Sequence, residues 1–241
     1  NRKSVNCDLI NYVLVIENNQ RGFLMIKFFK RALDPISSYT HFWGAVVSTL
    51  TLPVFVLRYL FSENKNPLVL TACLIFGLSL TALYSASSIY HYFSGDERVK
   101  RRLRKLDHTM IYVLIAGTYS PIAAAFMSPS NAVRFLIIIW GVAFLGIVIK
   151  LLWLNAPRFL STLLYLLMGW ALIFDIRSFR EMPADCLALI AAGGVAYSTG
   201  AVFYMLKKPN ISPAWSFHEV FHLLIMAGSA FHFSAVLLFA F

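Results

Sequence analysis

The chain has 241 residues, of which 59% are hydrophobic and only 13% are charged. Soluble domains carry about 25% charged residues, so this composition excludes an ordinary soluble enzyme and predicts one integral-membrane domain. The formal charge of +10 at pH 7 does not indicate a nucleic-acid-binding protein. The basic residues lie in short segments between apolar runs, where such residues set membrane topology and contact anionic lipids.

The first 33 residues differ in character from the rest of the chain and form a predicted N-terminal extension. Within it, residues 21–33 mix basic and bulky apolar side chains, a pattern typical of an amphipathic helix that lies in the membrane interface. A short extension with no role beyond topology accounts for the same residues equally well. Residues 34–241 are predicted to form the membrane domain.

Seven apolar segments follow in chain order, each with the length and composition of a transmembrane helix. They cover residues 41–62, 67–93, 108–127, 132–153, 159–176, 186–206 and 217–241. The breaks between them are rich in Pro, Asn and Ser, which are typical of turns. The sequence therefore predicts an all-α bundle of seven transmembrane helices.

The distribution of Lys and Arg predicts how this bundle is oriented. Of the 21 basic residues, 16 lie in the N-terminal segment and in the second–third, fourth–fifth and sixth–seventh loops. Because basic loops stay in the cytoplasm, we expect a cytoplasmic N-terminus and a C-terminus outside. The predicted location is the cell membrane, with multiple passes.

The seventh segment begins with an unusual cluster, His218-Glu219-Val220-Phe221-His222. Two histidines at positions i and i+4 lie on one face of a helix, a spacing suited to holding one metal ion. Ionisable side chains within a membrane span are costly and usually mark a functional site. This cluster therefore predicts a metal site inside a membrane protein.

The predicted topology brings other polar residues to the level of this histidine pair. His91 ends the second span at the cytoplasmic face, and Asp107 begins the third span at the same face. Ser87 precedes His91 by one helical turn and lies on the same side of its helix. Three helices are thus expected to place three histidines and a carboxylate at one depth, although these residues are distant in sequence.

This set of residues is suited to a catalytic zinc site. Such a site commonly has three protein ligands and a water molecule, and imidazole is a favoured ligand. We predict that His91, His218 and His222 are the ligands and that Zn²⁺ is the cofactor. Asp107 is predicted to orient the water or to serve as general base, and Ser87 to hydrogen-bond the water or a substrate carbonyl. Capping of the third helix is the alternative role for Asp107.

The other candidates near this level have structural interpretations. His232 lies about 15 Å deeper along the helix than His222, and we expect it to be a contact between helices. His41 begins the first span; we expect it too to be a contact between helices, and it is a minor candidate for the second shell of the metal. His108 is expected to point away from the site and to lie at the membrane interface. Residues 98–105 are predicted to form a solvated, lipid-facing basic loop.

Several separated motifs carry a family resemblance. They are Asp34-Pro35-Ile36-Ser37-Ser38-Tyr39-Thr40-His41-Phe42-Trp43-Gly44, Ser87-Ser88-Ile89-Tyr90-His91, Leu106-Asp107-His108-Thr109-Met110-Ile111-Tyr112, Ala116-Gly117-Thr118-Tyr119-Ser120-Pro121, the histidine cluster at residues 218–222, Gly228 and His232-Phe233. In this order they resemble the hemolysin III branch of the progestin and adipoQ receptor family over residues 34–241.

The resemblance implies a seven-helix membrane bundle with a zinc ion near its cytoplasmic side. It maps the family's three histidines onto His91, His218 and His222, and its aspartate and serine onto Asp107 and Ser87. The wider superfamily includes alkaline ceramidases, which hydrolyse a lipid amide bond. The resemblance therefore implies cleavage of a lipid amide or ester near the cytoplasmic face, with a membrane lipid as substrate or ligand.

Two other functional classes remain open at this stage. The cluster at residues 218–222 also matches the His-Glu-x-x-His signature of zinc proteases, in which the glutamate is the general base. That interpretation predicts an essential Glu219, whereas in the lipid hydrolase interpretation Glu219 faces away from the metal or has a secondary role. The second alternative is a non-enzymatic zinc-containing receptor or a hemolysin-type membrane-damaging protein. The sequence does not indicate an oligomeric state.

Overall fold

A computed structural model describes residues 28–63, 65–212 and 215–241. Most of the predicted amphipathic segment at residues 21–33 lies outside the described residues. All the regular secondary structure in the described ranges is helical.

Seven membrane-crossing helices make up the described chain. They are α1 (Pro35–Leu60), α2 (Pro67–Tyr92), α3 (Glu97–Phe126), α4 (Pro129–Leu152), α5 (Arg158–Gly169, continued by the 3₁₀ helix Ala171–Phe179), α6 (Ala184–Leu206) and α7 (Phe217–Phe239). Each is long and apolar enough to cross a membrane when α5 is taken with its 3₁₀ continuation. The structure therefore confirms the predicted seven-helix bundle of a multi-pass membrane protein.

Local sequence explains where several helices begin. Proline occupies the first turn of α1, α2 and α4, where its missing N–H costs nothing. The Asn66 side chain accepts a hydrogen bond from the backbone N–H of Leu68 and so caps α2. The Asp96 side chain caps α3 in the same way, by accepting from the backbone N–H groups of Arg98 and Val99.

The start of α3 corrects two sequence predictions. The helix begins at Glu97, eleven residues before the predicted start of the third span at residue 108. The basic run at residues 98–105 therefore forms the first two turns of a helix instead of a loop. Asp107 lies inside α3, so the alternative that it caps this helix is wrong; Asp96 performs that role.

Consecutive helices pack side by side, and α1 contacts α7. The starts of α1, α3, α5 and α7 and the ends of α2, α4 and α6 lie at one end of the bundle, here called the basic end. Hydrogen bonds across this end join Asp34 to His91 and Lys150 to Ser161. Large apolar side chains such as Phe174 face outward, as expected of a surface that contacts lipid. The basic end is the side predicted to be cytoplasmic.

A break in α5 contributes to the interior of the bundle. The helix ends at Gly169 and continues as a 3₁₀ helix from Ala171. The Tyr119 hydroxyl donates to the Gly169 carbonyl at 2.5 Å and accepts from the backbone N–H of Leu172 at 3.3 Å. A side chain of α3 thus satisfies backbone groups that the break would leave unpaired in an apolar medium. Tyr119, Gly169 and Leu172 all line an internal cavity.

Candidate metal centre and adjoining cavity

Three histidines converge at the basic end of the bundle. His91 lies in the last turn of α2, and His218 and His222 lie in the first two turns of α7. One ring nitrogen from each lies within 4.8 Å of those of the other two. The Nε2 atoms of His91 and His218 are 3.2 Å apart, and two nitrogens bound to one tetrahedral zinc ion are separated by roughly 3.3 Å. The three side chains can therefore hold a metal ion.

Asp34 fixes the orientation of His91. It occupies the N-cap position of α1, but its side chain makes no capping hydrogen bond. Its Oδ2 atom instead accepts a hydrogen bond from His91 Nδ1 at 2.8 Å, and its backbone N–H donates to the His91 carbonyl. Donation from Nδ1 leaves the Nε2 lone pair of a neutral imidazole free, on the side that faces His218. Carboxylates that hold histidines in this way are typical of metal sites.

The electrostatic state of Asp34 suits this role. Its side chain is 45% exposed, whereas that of His91 is only 4% exposed. The hydrogen bond from His91 holds the pKa of the Asp34 carboxyl below its ordinary value, and partial burial opposes this shift. Asp34 therefore carries a negative charge at neutral pH, which increases the basicity of the His91 ring.

His41 is a closer neighbour of the histidine cluster than its sequence position indicates. Its ring stacks on that of His222, with centroids 3.8 Å apart and planes inclined by 10°. Both rings are buried. Among the described residues, neither ring nitrogen of His41 nor Nδ1 of His222 has a hydrogen-bond partner. Unpartnered buried nitrogens are unfavourable, so the chemistry of this cluster fits a bound cation.

The predicted catalytic pair lies in the same cavity wall as the histidines. Ser87 is 3% exposed, and its hydroxyl is close enough to the Asp107 carboxylate to interact with it. Asp107 also interacts electrostatically with His91. The structure thus brings Ser87 and Asp107 beside the three histidines, while their catalytic roles stay predictions.

Glu219 takes part in helix capping. Its Oε2 atom accepts from the backbone N–H of Ser216 at 2.9 Å and from the Ser216 hydroxyl at 2.6 Å, which forms a capping box at the start of α7. Its Oε1 atom accepts from the Ser37 hydroxyl at 3.0 Å and so links α7 to α1. Both oxygens are therefore engaged in structural contacts.

A long internal cavity of about 690 Å³ adjoins the histidines, and all seven helices contribute to its wall. This volume is typical of sites for small organic ligands. Along α3 the lining extends from Arg104 to Ile122, a rise of about 27 Å, which approaches the hydrocarbon thickness of a bilayer. The basic end of the wall is polar, whereas leucine and isoleucine side chains predominate farther along. The cavity has the shape and polarity required by an amphiphile.

The remaining sequence predictions have mixed outcomes. His232 donates from Nδ1 to the Gly228 carbonyl of its own helix at 2.8 Å, and its ring stacks on that of Tyr197 in α6 with centroids 5.2 Å apart, which confirms the predicted contact between helices. His108 lines the internal cavity, although the sequence predicted an interfacial position. Arg104 also lines the cavity, so the prediction of a lipid-facing position is wrong for this residue.

Several site residues have no role assigned by sequence reasoning. The contact of Asp34 with His91 depends on packing between α1 and α2, for which the sequence contains no direct signal. Lys150 enters the topology prediction as a basic loop residue, yet it is a buried residue of α4. Its position inside an otherwise apolar segment is the signal that identifies it, because a charge at such a position usually has a function.

Comparisons with known proteins agree with this architecture. A family model described as Haemolysin-III related matches residues 29–233. The Hemolysin-3 homolog of Bacillus subtilis (strain 168) is 32% identical over 205 residues, covering 84% of this chain and 92% of that protein. Hemolysin-3 of Bacillus cereus is 31% identical over 204 residues, covering 84% and 90% of the two chains.

A more distant similarity extends to animals. The Monocyte to macrophage differentiation factor of Homo sapiens is 28% identical over 169 residues, which are 67% of each chain. The family match covers all seven helices at least in part, and it includes His91, Asp107, His218 and His222. The chain therefore belongs to the Haemolysin-III related family, the hemolysin III branch of the progestin and adipoQ receptor family.

Proposed function

We propose that this protein is a zinc-dependent hydrolase that cleaves an amide or ester bond of a membrane lipid. The observation that carries the proposal is the convergence of His91, His218 and His222 in the wall of a long apolar cavity. Asp107 and Ser87 line the same wall. A lipid that fills the cavity places its acyl chain among apolar side chains and its polar linkage next to the histidines.

The donor set favours zinc over other common metals. Imidazole nitrogens suit zinc, whereas calcium and magnesium prefer oxygen ligands. The convergent set in the described residues has three members, and three protein ligands with one open position are typical of catalytic zinc. When bound, zinc supplies a Lewis acid that polarises a carbonyl group and lowers the pKa of water.

The surrounding side chains supply proton transfer and orientation. The Asp107 carboxylate accepts a proton from the attacking water and returns it to the amine or alkoxide that leaves. The Ser87 hydroxyl, which interacts with Asp107, holds that carboxylate in position. Asp34 fixes the ring of His91 through the hydrogen bond at Nδ1. The apolar wall keeps bulk water away from the reacting bond.

The contacts of Glu219 argue against the zinc protease interpretation. A general base needs a carboxylate oxygen that is free to take a proton from water. Both oxygens of Glu219 instead accept hydrogen bonds from Ser216 and Ser37. Asp107 is therefore the better candidate for the base.

Metal content and lipid turnover together test the proposed function. The full-length protein is purified in detergent, its zinc content is measured by mass spectrometry, and hydrolysis is followed on a panel of ceramides, phospholipids and acylglycerols. We expect His91→Ala to lose both metal and turnover. Asp107→Asn should keep the metal and lose turnover by roughly 10²–10⁴-fold.

Three outcomes would contradict parts of this proposal. Full metal retention in His91→Ala would exclude the three-histidine site. Turnover that is lost in Glu219→Gln but kept in Asp107→Asn would favour the protease. A metal-loaded protein that hydrolyses none of these lipids would favour a non-enzymatic receptor or a hemolysin-type membrane-damaging protein.

A further inference from the structure

Three basic side chains line the cavity near the histidine cluster. They are Arg104 from α3, Lys150 from the end of α4 and Arg158 from the start of α5. All three lie at the basic end of the bundle. In the part of the chain that the structure describes, none of them forms an ion pair with a carboxylate.

Lys150 is the most unusual of the three because it is only 5% exposed. Its Nζ atom donates one hydrogen bond, at 3.0 Å, to the Ser161 hydroxyl. An ammonium group has three N–H donors, and burial of a charge is costly unless an opposite charge compensates it. The Lys150 ammonium group therefore has N–H donors that are available to an anion.

Arg104 and Arg158 extend this positive region towards the metal site. Arg104 and Lys150 lie close enough to interact electrostatically. The Arg158 guanidinium carbon is 5.2 Å from the centroid of the Tyr204 ring, and that ring is 6.2 Å from the ring of His218. The Tyr204 ring therefore lies between Arg158 and His218.

Among the described residues, the cavity wall also contains three carboxylates, Asp34, Asp107 and Glu219, and none of them forms an ion pair with the three basic side chains. Asp34 is bonded to His91, and Glu219 is engaged in the capping box of α7. Asp107 interacts electrostatically with both Arg104 and His91. Asp107 is thus the carboxylate that lies near one of these cations, and none of the three cations is paired with a carboxylate in the described residues.

We propose that Arg104, Lys150 and Arg158 form a binding subsite for the phosphate group of a membrane lipid whose acyl chain fills the apolar part of the cavity. Three cationic groups from three helices can each meet a different oxygen of a tetrahedral phosphate, and the planar donor fork of arginine suits this anion. A neutral ceramide would leave the three charges unpaired. The inference deepens the proposed function by naming a substrate class, and it rests on that function for turnover but not for binding.

Binding of matched probes tests the subsite. The full-length protein in uncharged maltoside micelles is titrated with 1-oleoyl lysophosphatidic acid, with monooleoylglycerol and with glycerol 3-phosphate, and bound lipid is measured by native mass spectrometry. We expect the phosphate-bearing lipid to bind at least about 10-fold more tightly than either of the other probes. Equal binding of monooleoylglycerol would overturn the phosphate subsite. Equal binding of glycerol 3-phosphate would overturn the assignment to a lipid and indicate free phosphate.

Matched variants assign the effect to the cavity wall. Arg104→Gln is compared with Arg101→Gln, which makes the same change one turn away at an exposed residue outside the wall. Arg104→Gln and Lys150→Met should each weaken binding of lysophosphatidic acid by roughly 10-fold and leave monooleoylglycerol unchanged. Arg158→Gln, at an exposed position, provides a second test if Lys150→Met does not fold. Equal effects of Arg101→Gln and Arg104→Gln would overturn the proposal.

The binding assay also separates this inference from the proposed function. Tight binding of lysophosphatidic acid without hydrolysis of any lipid would refute the enzyme and support the subsite. Hydrolysis of lysophosphatidic acid at a rate that Arg104→Gln, Lys150→Met and Arg158→Gln leave unchanged would support the enzyme and refute the subsite.

Discussion

Replacement of Asp34 by asparagine tests whether this carboxylate positions His91 for metal binding. Asp34 Oδ2 lies 2.8 Å from His91 Nδ1 and accepts its proton in a hydrogen bond. Asparagine has the same size and keeps an oxygen acceptor, but it removes the negative charge. Asp34→Ala removes both the charge and the acceptor. The two variants therefore separate the electrostatic contribution of Asp34 from the orientation of the ring.

The magnitude follows from the geometry of this contact. Loss of an outer-shell partner of a metal ligand typically weakens metal binding by about 10–100-fold, or about 1.4–2.8 kcal/mol. The Asp34 side chain is 45% exposed, so solvent screens its charge. We therefore expect Asp34→Asn to weaken zinc binding by about 10-fold. Asp34→Ala also frees the His91 ring to rotate, so we expect this variant to weaken zinc binding by about 100-fold.

Zinc affinity is measured by chelator competition on the full-length protein in detergent, with thermal unfolding of each variant as a check on the fold. Asp96→Asn is the matched control, because Asp96 is an exposed N-cap residue and asparagine preserves that cap. It should change zinc affinity by less than about twofold. Unchanged affinity in Asp34→Ala, or an equal loss in Asp96→Asn, would refute the positioning role.

Three further predictions concern the histidines, the helix cap and the helix packing. His222→Ala should release zinc, whereas His232→Ala should retain it, as measured by metal stoichiometry. Glu219→Ala should lower the free energy of unfolding by about 1 kcal/mol because it removes the capping box, whereas Glu219→Gln, which can keep this cap, should keep lipid turnover. Gly117→Ala should lower the free energy of unfolding by about 1–3 kcal/mol because a Cβ there collides with the Ser79 side chain of α2. Gly141→Ala should have a smaller effect because the space around Gly141 is open. Equal thermal shifts of the two glycine variants would contradict the packing described for α3.

The bundle was predictable because a bilayer imposes simple rules on the sequence. A helix needs about 20 apolar residues to cross, so the seven spans are visible from composition alone. Alternation of the spans also places His91, Asp107 and the histidines of the seventh span at one depth. The start of α3 was not predictable in this way, because its basic first turns lie outside the apolar segment although arginine and lysine favour a helix. Hydropathy marks the apolar part of a helix and not its end.

The sequence predicts the membrane depth of the candidate site residues but not which of their side chains contact one another. The spacing of His218 and His222 indicates a shared helix face, and span order adds His91. The contact of Asp34 with His91 and the stacking of His41 on His222 depend on how far each helix is rotated about its own axis. That rotation is set by the shapes of neighbouring side chains from distant parts of the chain.

The sequence by itself therefore determined the fold class, the family and the depth at which the polar residues meet. Tertiary structure alone decided which of these residues face the interior. In the folded chain Arg104 and Lys150 line the cavity, and Glu219 caps α7. The physical reason is that the depth of a residue follows from counting residues along helices of known rise. The direction in which its side chain points depends on packing between helices, which no single segment encodes.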